Sequence, residues 1–121
     1  VNEIVTVHTL EHINNLVHIT KECHRILKPQ GFLKIWVPHC HSTCAFSEMN
    51  HVRFFSAGTF NTFDISGNHP NHPYQNFLFK KKYVKLQVCK MQFKIRWYDK
   101  ILENLLNKKP ERGERILRGL P

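Results

Sequence analysis

The sequence predicts an α/β fold with a mostly parallel sheet, and three segments near the N-terminus carry this prediction. Residues 3–7 form a short β-branched run that is typical of a buried strand. Residues 32–37 are nearly all apolar, which predicts a strand covered on both faces. Between them, apolar residues at helical spacing predict an amphipathic helix: Leu16, Ile19, Cys23, Ile26 and Leu27. Strand, helix and strand in this order predict a right-handed parallel crossover, with the helix packed on one face of the sheet.

The turn between this helix and the second strand is predicted from residues 28–31, Lys-Pro-Gln-Gly. Pro29 cannot continue the helix and fixes part of the turn. Gly31 is expected to supply a positive φ angle, so that the chain re-enters the sheet within a few residues.

The rest of the chain is less regular. Residues 38–76 are polar, and one short helix over residues 56–63 is predicted among them. From residue 77 to 96 apolar residues alternate and then shift by one position near Cys89, which predicts a long strand with a bulge. A last helix is predicted over residues 97–106, with one apolar face: Trp97, Ile101, Leu102, Leu105 and Leu106.

Length and composition allow one small domain. The chain has 121 residues, of which 41% are hydrophobic. We expect residues 1–121 to be a single partial domain truncated at both ends, because a strand pattern starts at the first residues and a helical pattern precedes the last. No apolar run approaches the ~20 residues of a membrane span, and no secretory leader is present, so we expect no membrane contact and a cytoplasmic location.

The net charge of +9 lies in the second half of the chain. Residues 51–121 contain 14 basic and 5 acidic residues, whereas residues 1–50 are neutral. The basic residues 80–118 could bind nucleic acid, which would fit a non-catalytic remnant that binds a partner. A solvated strand face explains the same pattern, and we favour that interpretation.

Four motifs lie in order within the first 60 residues. They are Leu10-Glu-His-Ile13, Arg25-Ile-Leu-Lys-Pro-Gln-Gly31, Val37-Pro-His39 and Asn50-His-Val-Arg-Phe-Phe-Ser-Ala-Gly-Thr-Phe60. The sequence resembles the class I S-adenosylmethionine-dependent methyltransferases of the broad type 11 group, in which such motifs follow the fourth strand, the next helix and the fifth strand. The resemblance implies a Rossmann-like methyltransferase fold, of which this chain is the C-terminal part only, with the later strands and helices. It also implies methyl transfer from S-adenosylmethionine to an acceptor that the sequence does not identify.

Two features depart from the family pattern. Gln30 stands where the family usually has glycine. No two glycines stand two apart, so the Gly-rich cofactor loop is missing from this chain. We therefore expect the chain alone to bind the cofactor weakly and to be inactive.

The candidate site lies at the carboxyl ends of the two predicted strands, where open parallel sheets bind ligands. We expect His12, Glu11 and His39 to be the catalytic residues, with histidine as the proton acceptor. We expect His8 and Thr9 to contact the cofactor. Histidines from the two strand ends are expected to converge on one ligand.

A metal site is the alternative for the same residues. His8-x-x-Glu11-His12 matches a zinc-peptidase pattern, but that pattern requires a helix that is not predicted here. The segment also resembles metal-dependent O-methyltransferases that act on small molecules or RNA ends and bind a divalent cation through Glu-x-x-Glu-His. The metal set would be His8, Glu11, His12 and His51, with His39 or His41 as other ligands. We favour no metal, with Glu11 pairing near the helix start and His12 lining the pocket.

The segment His39-Cys-His-Ser-Thr-Cys44 holds four possible zinc ligands, but it lacks the spacing of a zinc knuckle. An active-site loop is the better interpretation. Five nearby phenylalanines fit either an acceptor pocket or the packing of the short helix: Phe46, Phe54, Phe55, Phe60 and Phe63.

Overall fold

The computed structural model describes residues 1–66, 77–87, 96–112 and 114. Strand β1 is Glu3–Val7, helix α1 is Leu16–Ile26 and strand β2 is Phe32–Trp36. The two strands are adjacent and parallel, with Glu3 opposite Phe32 and Val7 opposite Trp36. The predicted parallel crossover is therefore confirmed, and the described residues have an α/β arrangement. The larger Rossmann-like sheet stays a prediction.

The turn before β2 differs from the prediction at one backbone angle. Gln30, not Gly31, has the positive φ, at 65°. Glycine is required at position 31 for space, because an added Cβ would lie 2.9 Å from both Leu27 Cδ2 and the Lys28 carbonyl oxygen. The glutamine that replaces the family's glycine thus takes the left-handed conformation itself, at a modest energetic cost.

The core lies on one face of the sheet. Leu10, Leu16 and Phe55 form its centre. Packed against them are Ile13, Ile19, Ile35, Val37 and Phe60. Cys23 on α1 is half-buried, and burial raises the pKa of its thiol, as expected for a cysteine that packs as a small hydrophobe.

The opposite face of the sheet is exposed in the described part of the chain, so the predicted coverage of β2 on both faces is wrong there. Exposure alternates along both strands. Four apolar side chains on the outer face are 44–55% exposed: Val5, Val7, Phe32 and Trp36. Among the ion pairs of the described residues, one crosses this face: Lys34 Nζ lies 2.9 Å from Glu3 Oε1.

The region after β2 contains one helix that was not predicted and one that differs from its prediction. Helix α2 is Thr43–Ser47, and the Ser42 hydroxyl accepts a hydrogen bond from the Cys44 N–H at its start. The helix predicted over residues 56–63 is a shorter 3₁₀ helix, Thr59–Phe63.

The predicted long strand is not formed in residues 77–87. Phe79 makes a single bridge to Asp64, and Leu86 is held by the side chain of Asn107, which donates to its carbonyl and accepts from its N–H, both at 2.7 Å. The remaining part of that prediction, including the bulge near Cys89, lies outside the described residues.

Helix α3, Trp97–Asn107, confirms the last predicted helix. Its apolar face is mostly exposed: Leu106 is buried, whereas Trp97, Ile101, Leu102 and Leu105 are 39–74% exposed. None of the helices in the described ranges has the length and apolar composition needed to cross a membrane.

Candidate functional site

The candidate site begins where β1 and β2 end at the same edge of the sheet. The His8 N–H donates to the Trp36 carbonyl at 3.0 Å and joins the two strand ends. His8 has a positive φ of 47°, which turns the chain out of the sheet into a short 3₁₀ helix, Leu10–His12. Thr9 lies in this turn, with its hydroxyl donating to the Val7 carbonyl at 3.0 Å.

Glu11 is the most deeply buried polar side chain of the site. Its side chain is 1% exposed, and neither carboxylate oxygen has a hydrogen-bond partner among the described residues. The Nδ1 atom of His8 lies 3.3 Å from Oε1, close enough for an ion pair but without the direction of a hydrogen bond. A buried carboxylate without donors destabilises the fold, so its presence points to a function.

A second segment packs onto this turn. The Glu11 carbonyl accepts hydrogen bonds from the N–H groups of Val52, at 2.9 Å, and Arg53, at 3.2 Å. The Arg53 guanidinium also donates to the carbonyls of Ile13, at 2.9 Å, and Asn14. Arg53 therefore fastens the segment that carries His51 to residues 11–14. The sequence analysis gave Arg53 no role, although it lies in a motif that carried the family resemblance.

His12 and His51 lie side by side, with ring centroids 4.8 Å apart. His12 Nδ1 lies 3.2 Å from the Asn50 carbonyl, and His51 Nδ1 lies 2.9 Å from the Ala45 carbonyl. Because a carbonyl only accepts, each Nδ1 donates, so in the neutral form of each ring the lone pair is on Nε2.

The structure brings three of the four predicted metal ligands together. Glu11, His12 and His51 each offer one ligand atom, and these atoms lie within 4.8 Å of one another. His8 contacts Glu11 from outside this group.

His39 lies in a separate network. Its Nε2 donates to Glu114 Oε1 at 2.6 Å, and its Nδ1 accepts from the His41 N–H at 3.1 Å. The same Glu114 oxygen accepts from the Ala57 N–H. None of the described contacts joins His39 to the Glu11, His12 and His51 group. Both ring nitrogens are engaged, which favours an anchoring role, and the catalytic role of His39 stays a prediction.

Glu114 was missed by the sequence analysis because it lies far along the chain from His39 and within a basic tract. No local pattern marks it.

The cysteines and phenylalanines near the strand end divide between core and surface. Cys40 and Cys44 are half-buried and not in disulfides. Phe55 stacks on Phe60 in the core, with ring centroids 5.6 Å apart. Phe63 packs against Phe77 at 5.8 Å, whereas Phe46 and Phe54 stack on each other at 4.6 Å and are exposed. Of the five phenylalanines near the site, Phe55, Phe60 and Phe63 thus pack, and the exposed pair of Phe46 and Phe54 remains available to an acceptor.

Residues 2–35 match the family model for a methyltransferase domain. This match confirms the recognition of a class I S-adenosylmethionine-dependent methyltransferase domain in this segment. The matched segment contains β1, the 3₁₀ helix Leu10–His12, α1 and most of β2. It covers less than a third of the chain. It lies at the N-terminal end of this chain. That the whole chain is the C-terminal part of such a domain stays a prediction.

No curated protein and no solved structure matches the chain significantly.

Proposed function

We propose that this chain forms the acceptor side of an S-adenosylmethionine-dependent methyltransferase site. The observation that carries the proposal is the buried, unbonded carboxylate of Glu11 beside His12, at the strand end of the matched segment. The cofactor would supply the methyl group on a sulfonium.

The described residues fit one wall of a cofactor site rather than a whole one. His8 and Thr9 lie at the strand end, where a ligand of a parallel sheet binds. The Gly-rich loop of the family's cofactor site is absent from the 121 residues. We therefore propose that S-adenosylmethionine is held mainly by sequence outside this chain, and that the chain alone is inactive.

His12 is the best-placed group for proton transfer. Its Nδ1 is held by the Asn50 carbonyl, so the ring is oriented and Nε2 can accept a proton from a bound acceptor. Most of the rate in methyl transfer comes from alignment of the nucleophile with the methyl group, and the fixed ring contributes to that alignment as well.

The test is the release of S-adenosylhomocysteine by the intact protein, supplied with a cell extract that contains its acceptor. We expect His12→Asn to lower turnover by about 100-fold with the fold unchanged. His18→Asn is the matched control, because His18 is an exposed histidine at the start of α1. Unchanged turnover in His12→Asn would contradict this role, and absence of S-adenosylmethionine binding by the intact protein would contradict the function.

A second candidate, metal-assisted O-methyl transfer to a small molecule or an RNA end, is favoured by the geometry of Glu11, His12 and His51. Backbone carbonyls hold Nδ1 of both histidines, which is the arrangement that orients imidazoles toward a metal. Two imidazoles and a carboxylate suit Zn²⁺, Fe²⁺ or Co²⁺ better than Mg²⁺. Small side-chain shifts would bring the ligand atoms to the ~3.4 Å separation of a site with bonds of ~2.1 Å.

This candidate can be tested on the chain itself by titration with Co²⁺, followed by its visible absorption. We expect Glu11→Gln and His51→Asn each to weaken binding by about 10-fold or more. Glu48→Gln, which alters an exposed glutamate, should leave it unchanged. Equal binding by all variants, or a thiolate charge-transfer band that places the metal on cysteine, would contradict the metal site.

A further inference from the structure

A second feature of the described residues is an open groove of about 570 Å³, whose lining includes none of Glu11, His12, His39 or His51. Its lining comes from two stretches of the chain and one further residue: Lys81, Tyr83 and Val84, then Asn107 and residues 109–112, and Ala57. Its volume falls in the range of ~300–1,000 Å³ that is common for sites of small ligands. The groove is therefore large enough to take a nucleotide-sized group.

The groove carries more positive than negative charge. Lys81, Lys109 and Arg112 line it, together with one acidic residue, Glu111. The Glu111 carboxylate already accepts a hydrogen bond from Asn61, at 3.1 Å, and lies 4.0 Å from Lys81 Nζ. In the part of the chain that the structure describes, Lys109 and Arg112 form no ion pair. Two cations are thus available to an anionic ligand.

An aromatic ring stands at the same groove. Tyr83 lines it and is 78% exposed. Lys80 and Lys82, on either side of Lys81 in the sequence, are exposed as well. An exposed aromatic ring among cations is the arrangement with which proteins stack an unpaired base and hold its neighbouring phosphates.

We propose that this groove binds single-stranded nucleic acid, with Lys109 and Arg112 at phosphates and Tyr83 against a base. The concave shape favours this ligand over a lipid surface, because a planar membrane would not reach the groove floor. A single strand is favoured over a duplex, because an exposed ring such as Tyr83 stacks on an unpaired base. The inference goes beyond methyl transfer and does not depend on it.

The experiment measures the affinity of the full chain for a fluorescent oligo-deoxythymidine of about 12 nucleotides, within the ~4–16 nucleotides that single-strand binding grooves cover. We expect Tyr83→Leu to weaken binding about 10-fold without changing its salt dependence, and Tyr83→Phe to keep the affinity. Lys109→Gln combined with Arg112→Gln should weaken binding about 10-fold. It should also reduce the slope of log affinity against log salt by about 1.4, as expected for two lost phosphate contacts.

The control with the same loss of charge is Lys21→Gln combined with Lys28→Gln, both exposed and outside the groove. It should change affinity by less than about 2-fold. An equal loss in this control would show binding by net charge alone and would overturn the proposal. So would unchanged binding in Tyr83→Leu, or equal affinity for anionic vesicles of phosphatidylserine.

Discussion

The crossover of β1, α1 and β2 and the later segment, residues 77–87 and 96–112, are held together by different kinds of contact. The crossover combines a parallel backbone ladder with an apolar core around Leu10, Leu16 and Phe55. The later segment depends on polar side chains that bind backbone groups, such as Asn107 at Leu86. The crossover also has little net charge, whereas the later segment carries the basic excess. The first region thus contains the site proposed for methyl transfer, and the second contains the groove proposed to bind nucleic acid.

The largest difference in stability between the two regions should appear when a leucine is replaced by alanine in each of them. Leu16, on α1, is 7% exposed, and Leu105, on α3, is 55% exposed. We expect Leu16→Ala to lower the free energy of unfolding by about 3 kcal/mol and Leu105→Ala by about 0.5 kcal/mol, measured by urea denaturation. An equal loss at both positions would mean that α3 is covered in solution, and the contrast between the regions would fail.

This contrast also explains what the sequence could predict. Apolar spacing alone placed β1, α1, β2 and α3, because their patterns repeat with the period of one element. Burial of α3 was not predictable, since its apolar face needs a partner that periodicity cannot identify.

In the site as well, local features could be predicted from the sequence and long-range contacts could not. The positions of Glu11 and His12 were predictable from strand order, because both come directly after a strand. The pairing of His39 with Glu114 was not, since it joins groups far apart in the chain. Residues 77–87 alternate like a strand, yet Asn107 and Asp64 satisfy some of their backbone groups instead.

A smaller change in the free energy of unfolding, this time a stabilisation, should result from replacing Glu11 in the candidate site. Glu11 is buried and lacks hydrogen bonds among the described residues, so an apolar side chain of similar size should fit better. We expect Glu11→Met to raise the free energy of unfolding by about 1–2 kcal/mol in the metal-free protein at about pH 8, where ordinary imidazoles are neutral.

Glu48→Met provides the control, because this glutamate is exposed and its replacement should be nearly neutral. Stabilisation at position 11 together with loss of turnover would identify a carboxylate kept for function at the expense of stability. Destabilisation by more than about 1 kcal/mol would instead assign Glu11 a structural role.

The smallest effect concerns Asp64, which links the 3₁₀ helix Thr59–Phe63 to the later segment through the Lys81 N–H. Burial raises the pKa of Asp64, but hydrogen bonds from Ser66 and from the Lys81 N–H outweigh it and hold the pKa below its usual value. A lowered folded-state pKa contributes stability above the unfolded value of ~3.9, and this contribution is lost as the pH falls through the folded-state pKa.

We therefore expect Asp64→Asn to lower the free energy of unfolding by about 1 kcal/mol near neutral pH, with the difference shrinking below about pH 4. Urea denaturation between neutral and acidic pH measures this, with Glu48→Gln as an exposed carboxylate whose loss should have no such pH dependence. The loss should fall on this link, because Asp64 holds the backbone of Lys81, which lines the groove. Asp64→Asn should therefore weaken the oligonucleotide affinity more than the turnover of the intact protein. A constant difference across the pH range would show that the Asp64 carboxylate does not stabilise this link by its charge.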